Sequence, residues 1–179
     1  MLEAYPVDLS QGAPFDGRNT TYGEPSQYKR TSAIASDTMY TAPWRWYLQR
    51  FSQNTKIWGI HFEEPITGER PVLGMQHGSD FAFYFPEMFG EGNDPRKNGD
   101  SEFVDTVHDA FVHFVNSGSP NDGHQADCAT EGAYHWPEYG ASGMVTVLNA
   151  SLPAATIEPP YRPGFDLIQR YLIRGPDES

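Results

Sequence analysis

The stretch Lys56-Ile57-Trp58-Gly59-Ile60-His61-Phe62 limits the folds open to this chain more than any other. Read as a strand, Trp58, Ile60 and Phe62 point to one face and Ile57, Gly59 and His61 to the other. One face is bulky and the other mostly apolar. A strand of that kind is covered on both sides, which is the usual condition of a parallel sheet. Met144 to Leu148 reads as a later and last strand, with Val145 and Val147 on one face.

Helical stretches surround these strands. Ser26 can cap a short helix running to about Ser36. Pro43 biases Ala42 away from helical angles and can open a helix at its own first position. Trp44, Tyr47, Leu48 and Phe51 then recur on one helical face, with Arg45, Gln49 and Arg50 opposite. Asp100 or Ser101 can cap a third helix, whose stripe is Phe103, Val107, Phe111 and Phe114, widened by Val104 and Val115. It stops near Ser117, ahead of Gly118 and Pro120. Pro163 to Ile173 reads as a C-terminal helix with Phe165, Ile168 and Leu172 inward. Gly90 to Gly99 and Asn121 to Gly132 read as polar surface loops. The fold class is α/β, an incomplete sheet with flanking helices.

Between the first strand and the third helix lies Leu73-Gly74-Met75-Gln76-His77-Gly78-Ser79-Asp80, followed by the aromatic-rich run Phe81 to Phe85. Gly74 and Gly78 tolerate backbone angles that other residues resist, so a loop here can aim an imidazole out of the fold. Imidazole titrates near neutrality and suits proton transfer. The plain alternative is a loop histidine bonded to backbone. Asp80 supplies a carboxylate, and the aromatic run supplies an apolar wall.

Gly74-x-x-His77-Gly78-x-Asp80 with its aromatic run resembles the catalytic-histidine segment of the type B carboxylesterase and lipase family, which includes the cholinesterases. Three other stretches resemble that family in the same order: Tyr5-Pro6-Val7-Asp8 with Gly12 to Asp16, Phe114-x-x-x-Gly118-x-Pro120-Asn121, and Trp136-Pro137-x-Tyr139. The resemblance implies that the whole chain, residues 1–179, is a single partial domain, the C-terminal part of an α/β-hydrolase fold. His77 is then the catalytic base, with Gly74, Gly78 and Asp80 as supporting residues near the site. The family draws its triad acid from an upstream loop, so Asp80 supports the site without completing a triad. Asp37 is a looser match to an acid that precedes the Pro-led helix.

Hydrolysis on this fold needs a serine in Gly-x-Ser-x-Gly on a strand-to-helix elbow. The sequence contains no such motif. A lone imidazole has nothing to activate, so the chain by itself is expected to be inactive. The resemblance assigns the serine, the oxyanion hole and the triad acid to upstream sequence. The substrate of the full-length enzyme would be a small-molecule or lipid ester. Two rivals stand beside this reading: a non-catalytic, cholinesterase-like protein-binding module, and an unrelated α/β scaffold with a structural histidine.

Composition narrows the partners. The formal net charge is -12, which disfavours nucleic acid. No stretch approaches the apolar length of a membrane span. No glycine-rich phosphate loop occurs, so no nucleotide cofactor is expected. His108 and His113 are five positions apart and do not share a helix face. His124, Cys128 and His135 lie in loop-like sequence without zinc spacing, and no metal is expected. The one cysteine, Cys128, excludes an internal disulfide and favours a reducing compartment. Sequons at Asn19 and Asn149 point the other way, toward a secreted full-length parent. The first residues, Met1 to Pro6, do not read as a signal peptide.

Overall fold

One strand is buried on both of its faces, and the sheet is built around it. This is β2, Met144–Leu148, where Val145 faces one side while Thr146 lies between the strand's two apolar neighbours; all three of Val145, Thr146 and Leu148 are fully buried. The computed structural model describes residues 2–7, 20–65, 70–89, 95–98, 101–121, 135–149, 154–157 and 163–170. It divides into two compact units, Met1–Thr55 with Glu158–Ser179, and Lys56–Ile157.

In the unit Lys56–Ile157, β1 is Gly59–Phe62 and pairs with β2 in parallel, Ile60 opposite Thr146 and Phe62 opposite Leu148. The parallel pairing agrees with the two-sided apolar pattern. The strand begins later than Lys56, because at Ile57 the backbone turns to another partner. The Ile57 carbonyl accepts from the Tyr139 N–H at 2.8 Å, ahead of where β2 begins. A further strand, β3, Ala154–Ile157, adds to β2 antiparallel. Met144 to Leu148 is therefore the middle strand and not the last. The alanines of β3 carry little strand propensity, so the sequence hides it.

The bulky face of β1 is where the core forms. Trp58, Ile60 and Phe62 pack on Phe83, Phe103, Val104, Val107, Ala110, Trp136 and Leu148. Phe83 belongs to α3, Phe81–Tyr84, and Phe103 to α4, Ser101–Ser117. Each fully buried aliphatic such as Val104 or Leu148 contributes about 1.5–3 kcal/mol. The end of α4 falls at Ser117, as its stop signals predict, and Gly118 takes φ +76° to leave the helix. Its inner stripe is narrower than the sequence suggests: Phe103, Val104, Val107 and Ala110 are buried, while Phe114 and Val115 are exposed. Phe114 instead lies edge-on to Trp58, centroids 6.0 Å apart. Pro95–Asn98, read as open loop, forms a single 3-10 turn.

Asn121 closes this core from the side. Its side-chain amide donates to the Trp136 carbonyl at 2.9 Å, and its amide oxygen accepts from the Trp136 N–H at 2.8 Å. A two-way bond of this kind sets Trp136 into the core as a backbone ladder would.

In the other unit, α1, Tyr28–Ser36, runs through a π turn, Asp37–Thr41, into α2, Ala42–Phe51. Ala42 is helical, φ -70° and ψ -42°, against its bias before Pro43. The Ala42 N–H reaches back five residues to the Asp37 carbonyl, and the wider turn makes room for the proline ring. The extra residue also rotates everything after it by about 100°. A straight helix would carry the inner positions Lys29 and Ala33 on to Tyr40, Trp44, Tyr47 and Phe51. The π turn moves the inner stripe one residue on, to Ala42, Arg45 and Leu48, which are buried. Tyr47 and Phe51, predicted inward, are exposed and lie against each other with tilted rings, centroids 4.5 Å apart. Arg45, predicted outward, lies over the Phe165 ring at 5.3 Å.

Phe165 and Ile168 face inward from α5, Pro163–Ile168, as predicted; Leu172 lies outside the described residues. Tyr5 is the hub of this unit. Its hydroxyl donates to the buried Asp37 carboxylate at 2.9 Å, and a Cβ added to Gly164 would run into its ring.

Two outcomes are expected. Asn121→Ala removes both bonds to Trp136 and should destabilise the fold by about 2 kcal/mol, read as a lower denaturation midpoint at unchanged m-value. Gly164→Ala should cost about 1–3 kcal/mol through overlap with Tyr5, and pairing it with Tyr5→Ala should recover part of the overlap term in a double-mutant cycle.

Candidate functional site

The His77 loop is a series of backbone turns. A 3-10 turn, Pro71–Leu73, opens it, with Val72 buried beneath. Gly74 follows at φ +56°. The Ser79 N–H donates to the Gln76 carbonyl at 3.1 Å, and the Ser79 hydroxyl bonds the same carbonyl. His77 lies on the exposed side of that turn. Gly78 takes φ +86°. A Cβ at Gly78 would meet only the Phe81 ring, at 3.9 Å, so glycine is needed there for its backbone angle and not for space.

The turn passes directly into α3. The Phe81 N–H donates to Gly78 at 3.2 Å, and the Phe83 and Tyr84 N–H groups donate to the Asp80 carbonyl at 3.0 and 3.2 Å. Asp80 is thus the residue where loop becomes helix. Its half-buried carboxylate makes no capping bond to α3. It acts on the Tyr84 phenol, whose pKa is pushed well above the ordinary tyrosine value, first by burial and then by the Asp80 charge.

The aromatic run is not one wall. Phe83 points into the core, 4.8 Å from Phe62 and 5.7 Å from Phe103. Tyr84 and Phe85 both rest on Phe111 of α4, at 5.4 and 5.3 Å. Phe81 is exposed and stacks on Phe85 at 6.2 Å. Only this last pair presents an apolar surface beside the loop.

The other histidines separate from this site. His61 is paired with Glu63, Nε2 to Oε1 3.2 Å. His113 is half-buried on α4, and His135 is exposed. His124 and Cys128 lie outside the described residues, among which no cluster of three metal-ligating side chains occurs. His108 was singled out only as a failed zinc partner, yet its Nδ1 lies 2.8 Å from the Tyr84 carbonyl. That contact spans 24 positions, and no local spacing signals it. Beside it, the Glu87 carboxyl is held below its ordinary range, by its own backbone N–H first and by Arg96 at 3.1 Å.

The model of the family described as "Carboxylesterase family" matches residues 16–162, which include the His77 loop and both parallel strands. The chain belongs to the carboxylesterase family. It is 28% identical over 144 residues to "Lipase 4" of Diutina rugosa, a match covering 80% of this chain and 22% of the relative. It is 30% identical over 144 residues to "Lipase 2" of the same organism, with the same coverage of 80% and 22%. It is 29% identical over 155 residues to "Secreted lipase 1" of Botryotinia fuckeliana, covering 84% of this chain and 24% of the relative. The chain thus spans less than a quarter of the length of these relatives. Family membership implies an α/β-hydrolase fold, with which the helices and the parallel β1–β2 pair agree. No helix among the described residues is long and apolar enough to cross a membrane.

The buried phenol predicts an alkaline weakness. Tyr84 is neutral when protonated, and its pKa is raised on folding. Its contribution to stability is therefore complete below the ordinary tyrosine range and is lost as pH rises through the folded value. Tyr84→Phe should flatten the fall in melting temperature between about pH 9 and about pH 11. An unchanged slope would show that other groups set it.

Proposed function

We propose that this chain is the histidine-bearing, C-terminal portion of one type B carboxylesterase domain, and that His77 is the general base of ester hydrolysis in the whole enzyme. The observation that carries the reading is the loop itself: an exposed imidazole on a braced turn between two glycines at positive φ. A base must present its ring to a nucleophile carried elsewhere, and its backbone must not move as it does so. The family match across the loop supports the same role.

In the complete site His77 takes the proton of a serine hydroxyl as the serine attacks the ester carbonyl. The same imidazolium then protonates the departing alcohol oxygen. A second cycle with water in place of the serine releases the acid. The serine, the oxyanion-hole donors and the carboxylate that orients His77 come from sequence preceding this chain. Asp80 stabilises the local electrostatics near Tyr84 and supports the loop. The exposed Phe81 ring, stacked on the half-buried Phe85, suits an apolar acyl or alcohol group. The lipase names of the relatives make a lipid ester the first substrate to try.

The chain alone should hydrolyse a chromogenic short-chain ester no faster than its His77→Ala variant. In a polypeptide carrying this chain in frame behind a Gly-x-Ser-x-Gly segment, His77→Ala should lower kcat by roughly 10⁴-fold or more. Full activity in that variant would remove His77 from the mechanism. An upstream elbow with its serine replaced would favour the protein-binding module.

A further inference from the structure

α3 is four residues long, far below the length at which a helix holds itself together in water. Yet it forms the downstream wall of the His77 turn, through the Gly78 and Asp80 carbonyls. Something else must hold it. Its apolar side is held by Phe83 in the core and Tyr84 on Phe111. Its C-terminal carbonyl is held by a single side chain, His108 of α4, with Nδ1 at 2.8 Å from the Tyr84 oxygen. Immediately beyond, Phe85 leaves helical angles at φ -133° and ψ 61°, so the helix cannot extend to brace itself.

We propose that His108 is a positioning residue for His77: by donating its Nδ1–H to the Tyr84 carbonyl it fixes the end of α3, and through α3 the turn that aims the His77 ring. The inference rests on His77 being the base. α4 is the most deeply anchored helix of its unit, with Phe103, Val104, Val107 and Ala110 all buried. His108 connects that anchor to the loop. The bond places the His108 proton on Nδ1 and needs it whether or not the ring carries a charge, since both forms can donate there. Glu87 lies close enough to feel the His108 ring and is itself bonded to Arg96 at 3.1 Å; the side-chain bond to the Tyr84 carbonyl is made by His108 among the described residues.

The experiment follows the ring resonances of His77 and the amides of Gly78 and Asp80 by NMR in the full chain. Three substitutions at 108 are compared. Asparagine presents its amide N–H close to where imidazole Nδ1 lies, glutamine places it farther out, and leucine has no donor. His108→Leu should shift and broaden the His77 and Gly78 signals and speed exchange of the Phe85 amide roughly five- to tenfold. His108→Asn should restore the wild-type pattern, and His108→Gln should not. His113→Leu, on the same helix, should leave the loop signals in place. Unmoved His77 signals in His108→Leu overturn the proposal, as do equal effects from asparagine and leucine. If the leucine variant does not fold, the asparagine and glutamine variants decide: a difference between them supports the proposal and identical spectra overturn it. The readout needs no turnover. An enzyme in which His77 proves dispensable would overturn the base assignment and leave the mechanical coupling standing, whereas immobile loop signals would do the reverse.

Discussion

Three phenylalanine rings hold together the unit that carries the His77 loop. Phe62 comes from β1, Phe83 from the helix after the histidine turn, and Phe103 from the first turn of α4. Their centroids are 4.8, 5.7 and 6.4 Å apart, within the range of favourable aromatic pairs. Each pair is worth about 0.5–1.5 kcal/mol beyond the area it buries. More importantly, the three rings belong to three separate elements that have no backbone bond to one another in common. Without the cluster, the loop bearing His77 stays hydrogen-bonded to α3 but loses the packing that ties this helix to β1.

The strand and the glycine-flanked turn were legible in the sequence because their signals are local. Glycines at 74 and 78 advertise unusual backbone angles by themselves, and the structure uses both at positive φ. The strand pattern of Trp58, Ile60 and Phe62 advertises burial, and those residues do pack on the core. Both signals are local, since each depends on residues within a few positions. The structure therefore supports the expected order of strand, turn and short helix. The role of His77 as a base is a further step, and it depends on groups that this sequence does not contain.

What was illegible is non-local or hidden by a change of helical geometry. The His108 bond to Tyr84 and the Asn121 bonds to Trp136 join residues 24 and 15 positions apart, where no periodicity operates. β3 was missed because Ala154 and Ala155 look like anything but strand. The aromatic run after Asp80 was legible as apolar but not as divided, because a four-residue helix sends successive side chains in different directions. Helical periodicity without the π turn puts Arg45 on the outer face, whereas its guanidinium rests on the Phe165 ring.

The five-residue turn at Asp37–Thr41 acts on this helix as a skipped tooth acts on a gear train. Two helices of unchanged sequence mesh with their surroundings through different sets of side chains, depending only on whether that tooth is counted. Tyr40, Tyr47 and Phe51 owe their exposure to the skip, not to their own chemistry. Deleting one residue within that turn would straighten the helix and keep the same side chains of α2 inward, whereas closing the turn with no deletion would carry Tyr47 and Phe51 inward and Arg45 outward, with no residue in α2 replaced.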